Sequence, residues 1–413
     1  MANRIDEKLR EAALAALSAG AETPPSDAAL ARLCDLGTRL WLDTGNLEEA
    51  RPLWRREFSA LTTNNTLANQ VVQTGVLDDV AREAVRDIRE AMPGIGESDL
   101  VMELGFIINC HVALRLVRAF GAFCSVELHP AIAEDIERTV AYARRYHAVC
   151  PERFIIKIPL TPEGYCAVAR VRAEGIPVNY TLGFSARQNY LAALVSGPSN
   201  VNVFLGRLNA VVADNQLGDG KYVGEKATMA TQRALLDLRA KGRTSTLLIA
   251  ASMRSASQVA DLAGTDVFTM PPKVAKDFLA AGVDPATLAS QVNRDFAVTL
   301  HPGVDASLLD PLWTIDDRVV AMAGELAARG GVNLTGADIR QADADHRAGM
   351  FCRFTPDQQA ASRAEGKIPV LANWASSGAA LDDLMTLAAL QSFTVDQSAL
   401  DDRLRRLAAE VAA

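Results

Sequence analysis

The run RFIIKIP (residues 153–159) decides the fold, because it is too apolar for a surface loop and too short for a helix. Alternate residues of a strand face opposite sides. Phe154, Ile156 and Ile158 therefore share one face, and Ile155, Lys157 and Pro159 share the other. With the Phe/Ile face packed on outer helices, Lys157 points into whatever the strands enclose, near the C-terminal end of its strand. Burying a charge is costly, so this lysine asks for a reason.

Seven further runs of strand length flank it. They are RLWLD (39–43), FSALTT (58–63), AFCSVEL (122–128), PVNYTL (177–182), NVNVFL (200–205), STLLIAAS (245–252) and DVFTMP (266–271). Segments of amphipathic helix character, such as 162–174 and 186–194, lie between them. Strand and helix in alternation predict a parallel α/β sheet, and eight such units predict a closed (β/α)8 TIM barrel. One or two helices precede it, broken at Pro24-Pro25-Ser26, and the stretch 66–121 has room for three more, one of them over 106–120. After about residue 282 the strand-like runs stop. Helices are expected over 314–329, 337–346, 355–365, 379–393 and 396–412. The chain thus divides into a barrel with its N-terminal helices (1–282) and a C-terminal helical region packed on it (283–413). The segment 283–378 is open to three readings: a lid, a surface for a homo-oligomer, or filler.

Composition narrows the partners. A hydrophobic content of 49% supplies a large core, and a net charge of -8 argues against nucleic acid or an anionic membrane surface. A small basic pocket for an anionic substrate remains compatible with that charge. The six cysteines are scattered without a CxxC pair, as expected for reduced thiols in a cytoplasmic protein. The five histidines form no HExxH pattern, so neither a metal nor a cofactor is expected. The opening MANRIDEKLREAALAAL lacks the apolar core of a signal peptide, and no run is read as reaching membrane-spanning length.

In a barrel of this kind, working groups come from the C-terminal ends of the strands. Asp43 ends RLWLD, Glu127 lies near the end of AFCSVEL, and Asn179 and Thr181 share a face at the end of PVNYTL. A lysine held among apolar side chains has its charged form disfavoured, which frees the amine. A free amine attacks a ketone to form a Schiff base, an electron sink for C–C cleavage. Asp43 and Glu127 offer acid–base groups, and Thr181 a hydroxyl for water. The same pattern also fits a buried Lys–Asp or Lys–Glu pair with a structural role only. Arg207 and Arg254 follow two neighbouring late strands. Paired guanidiniums suit a phosphate, whereas either one alone reads better as a surface ion pair.

The motifs LDTGNLEEA, LTTNNTL, SVELHP, IIKIPLTPEG, VNYTLGFS, VFLGRLNA and IAASMRS stand in the order and spacing of transaldolases, and the chain resembles that family over roughly residues 39–282. LMTLAALQSFTVDQSALDDRL is similar to the family's closing helix. The resemblance implies a metal-free class I aldolase barrel. In it Lys157 would form the Schiff base, and Asp43 would handle the proton of the substrate hydroxyl. Glu127 and Thr181 would hold the catalytic water, and Asn179 would bond the intermediate. Thr62, Asn64, Asn202, Phe204 and Ser252 would contact substrate, and Arg207 with Arg254 its phosphate. The implied substrates are sugar phosphates. A dihydroxyacetone unit would pass from sedoheptulose 7-phosphate or fructose 6-phosphate to an aldose phosphate.

Four positions depart from the family pattern and bear on acceptor and hydroxyl recognition. Asn65 replaces a proline, His129 an acidic residue, Gly183 a leucine and Asn202 a serine. Two other readings are weighed. A fructose-6-phosphate aldolase-like enzyme would release free dihydroxyacetone, but that group resembles a tyrosine at the position of Phe204 and a glutamine at that of Glu127. A non-catalytic sugar-phosphate-binding barrel would be expected to have lost part of the Asp43, Glu127, Lys157, Asn179 and Arg207 set.

Overall fold

The computed structural model describes residues 3–20 and 23–412. Eight parallel strands, β1 (Arg39–Asp43), β2 (Phe58–Thr62), β3 (Phe123–Glu127), β4 (Phe154–Pro159), β5 (Val178–Thr181), β6 (Asn200–Phe204), β7 (Leu247–Ala251) and β8 (Val267–Met270), form a barrel in chain order. Pairing of β1 with β8 closes it. Each strand falls within the run that predicts it. The Phe154, Ile156 and Ile158 side chains of β4 are wholly buried, so this strand reads as a continuous apolar run with one exception. That exception is Lys157, which is only 4% exposed.

Two helices, Asn3–Leu17 and Ala28–Asp35, precede the barrel. Three helices, Asn65–Gln73, Asp78–Ala91 and Glu97–Phe120, fill the β2–β3 connection. The last begins nine residues before the expected 106–120. It also corrects the expectation about membrane-spanning length. By length and composition it qualifies, but 83% of its apolar window is buried inside the protein, as in the core helix of a folded domain. Its Gly121 cap is left-handed, the conformation glycine adopts most cheaply at a helix end.

Beyond β8 the chain is helical. The segments expected over 379–393 and 396–412 are one helix, Leu381–Ala412. Nothing in it breaks the backbone, for it contains neither glycine nor proline. Its Thr394 and Ser398 hydroxyls bond back to Leu390 O and Thr394 O, four residues earlier, rather than competing for a cap. This closing helix packs on all three helices of the β2–β3 connection. Helix Asp317–Arg329 packs on Ala186–Val195, and Gly336–His346 on Pro162–Ala173. The start of the closing helix is pinned by a buried ion pair, with Arg187 Nε and Nη2 donating to Asp382 at 2.8 and 2.7 Å. One continuous core extends from Ile5 to Ala408.

Candidate active site

Parallel register puts the polar strand-end residues beside one another. Glu127 of β3 is the direct partner of Lys157 of β4, and Lys157 of Asn179 of β5. On the other side of the barrel, Asp43 of β1 is in register with Thr62 of β2. A cavity of about 150 Å³ opens at this end, lined by ten of the expected residues: Asp43, Thr62, Asn64, Lys157, Asn179, Asn202, Phe204, Arg207, Ser252 and Arg254. Glu127 and Thr181 are buried but are not among its lining residues.

Lys157 differs from the expectation in one respect. Its surroundings are not simply apolar: Nζ lies 3.3 Å from Glu127 Oε2 and donates to the Thr63 carbonyl at 3.0 Å. Glu127 in turn has no well-aligned hydrogen bond on either carboxylate oxygen. Burial pushes its carboxyl above the ordinary range, opposed chiefly by the positive charge of Lys157. Asp43 behaves alike. Burial raises it, while Lys157, a hydrogen bond from Thr62 and the charge of Arg254 act the other way. The Thr62 hydroxyl donates to Asp43 Oδ1 at 2.6 Å, and so accepts from Thr269 Oγ1, also at 2.6 Å. Two buried carboxyls, both raised above their ordinary range, therefore flank one buried amine.

Asn202 of β6 ties the other wall together. Its Nδ2 donates to Asn179 Oδ1 and Thr181 Oγ1 at 3.2 and 3.1 Å, and its Oδ1 accepts from Gly183 N at 3.3 Å. Asn179 Nδ2 donates to Ser125 Oγ. Two departures from the family pattern are thereby linked. Any Cβ at residue 183 would stand 2.4 Å from Asn202 O and 2.8 Å from Asn189 Oδ1, so only glycine fits beside this arrangement. The other two departures are linked as well. Asn65 donates to Gln397, Gln397 to Asp401, and Asp401 meets His129 Nε2, at 2.8, 2.8 and 3.1 Å. Gln397 and Asp401 belong to the closing helix, so the turn after β2 and the loop after β3 are both tied to it.

The two arginines meet at the mouth. Gly206 allows this, since a Cβ there would lie 2.1 Å from Ser252 O and 2.8 Å from Arg254 Cγ. Ser252 itself takes φ 64°, a conformation uncommon for residues other than glycine and often found at functional sites. Gln258 Oε1 accepts from the Arg254 and Ser255 amides, fixing that loop. Arg207 is buried between the rings of Phe204 and Phe393, each 5.6 Å from its guanidinium carbon. Its Nη1 has no hydrogen-bond partner among the described residues. Burial and the charge of Arg254 push it down to about 10, which leaves it charged at neutral pH. A buried, charged donor without a partner is suited to an anion.

Sequence reasoning missed five contributors. Thr63 acts through its backbone, which no side-chain pattern reveals. Thr269 lies on β8 in register with Trp41, and a polar residue within DVFTMP was the available signal. Ser125 opens the SVELHP motif. Phe393 stands in the segment resembling the family's closing helix, while Lys367, which also lines the cavity, comes from the unassigned region.

A parallel eight-stranded barrel thus gathers an amine, two carboxyls and two guanidiniums at its C-terminal end, the end where TIM barrels carry their working groups. The family model described as Transaldolase/Fructose-6-phosphate aldolase matches residues 40–308. The chain belongs to that family. It is 34% identical over 244 residues to a probable transaldolase of Thermus thermophilus, a match covering 58% of this chain and 90% of the relative. It is 29% identical over 292 residues to a transaldolase of Xanthomonas campestris pv. campestris, covering 69% and 88%.

Proposed function

We propose that the protein is a transaldolase that moves a dihydroxyacetone unit between sugar phosphates through an imine on Lys157. The observation that carries this reading is that Lys157 lines one cavity with Asp43, Arg207 and Arg254 while its Nζ contacts the buried Glu127. In the proposed reaction, Lys157 Nζ attacks the ketone carbon and forms a carbinolamine. Loss of the former carbonyl oxygen as water leaves a protonated imine. Asp43 accepts the proton of the hydroxyl on the carbon beyond the scissile bond. The C–C bond breaks, an aldose phosphate leaves, and the bonding electrons pass into the imine as an enamine. The enamine carbon then adds to the aldehyde of the acceptor, Asp43 returns the proton, and water hydrolyses the imine. Glu127, raised by burial, exchanges protons with the water lost and regained.

Phe204 lines the cavity and carries no hydroxyl with which to protonate the enamine, which favours transfer over release of free dihydroxyacetone. The test is borohydride trapping with fructose 6-phosphate, followed by peptide mass analysis. A reduced three-carbon adduct on Lys157 is expected, and Lys157→Arg should lose both adduct and turnover. Normal turnover with unmodified Lys157 would overturn the mechanism. Dihydroxyacetone released without an acceptor aldehyde would point instead to the aldolase reaction.

A further inference from the structure

We propose that Lys367, from the region beyond the barrel, is a third cation of the phosphate subsite, acting with Arg207 and Arg254. The inference deepens the function proposed above and rests on it. Lys367 is an exposed residue that lines the same cavity as the two arginines.

Its position is built rather than incidental. Helix Pro356–Glu365 ends at Gly366, with φ 88°. The Glu365 carboxylate then accepts from Val370 N, Asn373 Nδ2 and Trp374 Nε1 at 2.9, 2.7 and 2.9 Å, which folds the segment back on itself. On the far side Asn215 clamps the backbone, with Nδ2 donating to Pro369 O at 2.9 Å and Oδ1 accepting from Leu371 N at 2.8 Å. Asn215 is the C-cap of helix Leu205–Asp214, which carries Arg207. Arg363 Nη1 donates to Gln391 Oε1 at 2.9 Å, tying the same segment to the helix that bears Phe393. Lys367 is therefore fastened on both sides to the two elements that enclose Arg207.

Charge supplies the reason. A phosphate monoester carries between one and two negative charges at neutral pH. Arg207 already faces the like charge of Arg254, and one buried N–H of Arg207 has no partner. A dianion accepting from all three groups would offset that repulsion, and a lysine on a flexible stem adds charge without a second fixed fork.

The experiment compares wild type with Lys367→Ala, Lys367→Glu and Lys367→Arg. It uses glyceraldehyde 3-phosphate and unphosphorylated glyceraldehyde as acceptors, and calorimetric binding of inorganic phosphate. Lys367→Ala is expected to raise the KM for the phosphorylated acceptor and the Kd for phosphate about five-fold, as for an exposed charged hydrogen bond. Lys367→Glu should weaken both further, Lys367→Arg should restore them, and the acceptor KM for glyceraldehyde, measured at saturating donor, should not follow the series. Phosphate binding unchanged in the alanine and glutamate variants, or equal rises in acceptor KM with both acceptors at saturating donor, would overturn the inference. Absence of an adduct on Lys157 in wild type would defeat the proposed function instead, while the phosphate titration would still decide on Lys367.

Discussion

Lys157 and Glu127 occupy paired positions on adjacent strands, with 3.3 Å between Nζ and Oε2 and almost no exposure of either side chain. The pair is both the centre of the site and a potential weak point of the fold, because each charge depends on the other for its burial.

Lys157→Met breaks that pair and leaves the buried Glu127 carboxyl without the charge that opposes its desolvation. Leaving one member of a buried ion pair uncompensated costs on the order of 3 kcal/mol. Urea unfolding at neutral pH should register that loss, and adding Glu127→Gln should recover most of it. Equal stability of wild type and the single variant would mean that the contact contributes nothing to the fold.

Asp43 gives a stability effect of opposite sign. Its folded carboxyl lies above its ordinary value, chiefly through burial. Such a group contributes stability that is fully present below the unfolded pKa and is lost as pH rises through the folded one. Ionised Asp43 is thus a net burden at neutral pH. Asp43→Asn should raise Tm relative to wild type at about pH 7 by more than at about pH 4, while turnover falls by roughly a hundredfold or more through loss of the proposed base. A stability difference that does not change with pH would refute this account of Asp43.

Gly183→Ala places a methyl group 2.4 Å from Asn202 O. Overpacking of this kind costs about 1–3 kcal/mol, and here it also displaces a residue that spans Asn179 and Thr181. Thermal unfolding and kcat should fall together. Gly324, in the helix Asp317–Arg329, has nothing within 4 Å of an added Cβ, so Gly324→Ala is the control. It should stabilise by about 0.5–1 kcal/mol through helix propensity alone.

The barrel was legible because each strand carries its own local signal, a short apolar run of strand length, and several of these runs carry a polar residue near the C-terminal end. Asp43, Lys157 and Asn179 could be placed in one cavity from that regularity, since parallel register brings strand ends together. The polar neighbours of Lys157 were less legible. Thr63 contributes a carbonyl, which every residue has. Phe393 and Lys367 reach the site from more than two hundred positions along the chain, through packing that no local period marks. The fate of the four departures was hidden for the same reason. Gly183 makes sense only beside Asn202, and Asn65 and His129 only once Gln397 and Asp401 are placed between them.

The closing helix has a consequence for the order of folding. Thr62 and Asp43 meet across 19 positions of chain, whereas Asn65 and Gln397 meet across 332. At roughly 0.6 kcal/mol for each doubling of loop length, the second contact costs about 2.5 kcal/mol more in closure entropy. Strand pairing is therefore favoured early and docking of Leu381–Ala412 late. A refolding chain would hold Lys157 in a barrel still open to water, and Phe393 would cover it only at the final docking step. Recovery of sheet structure should accordingly run ahead of catalytic competence.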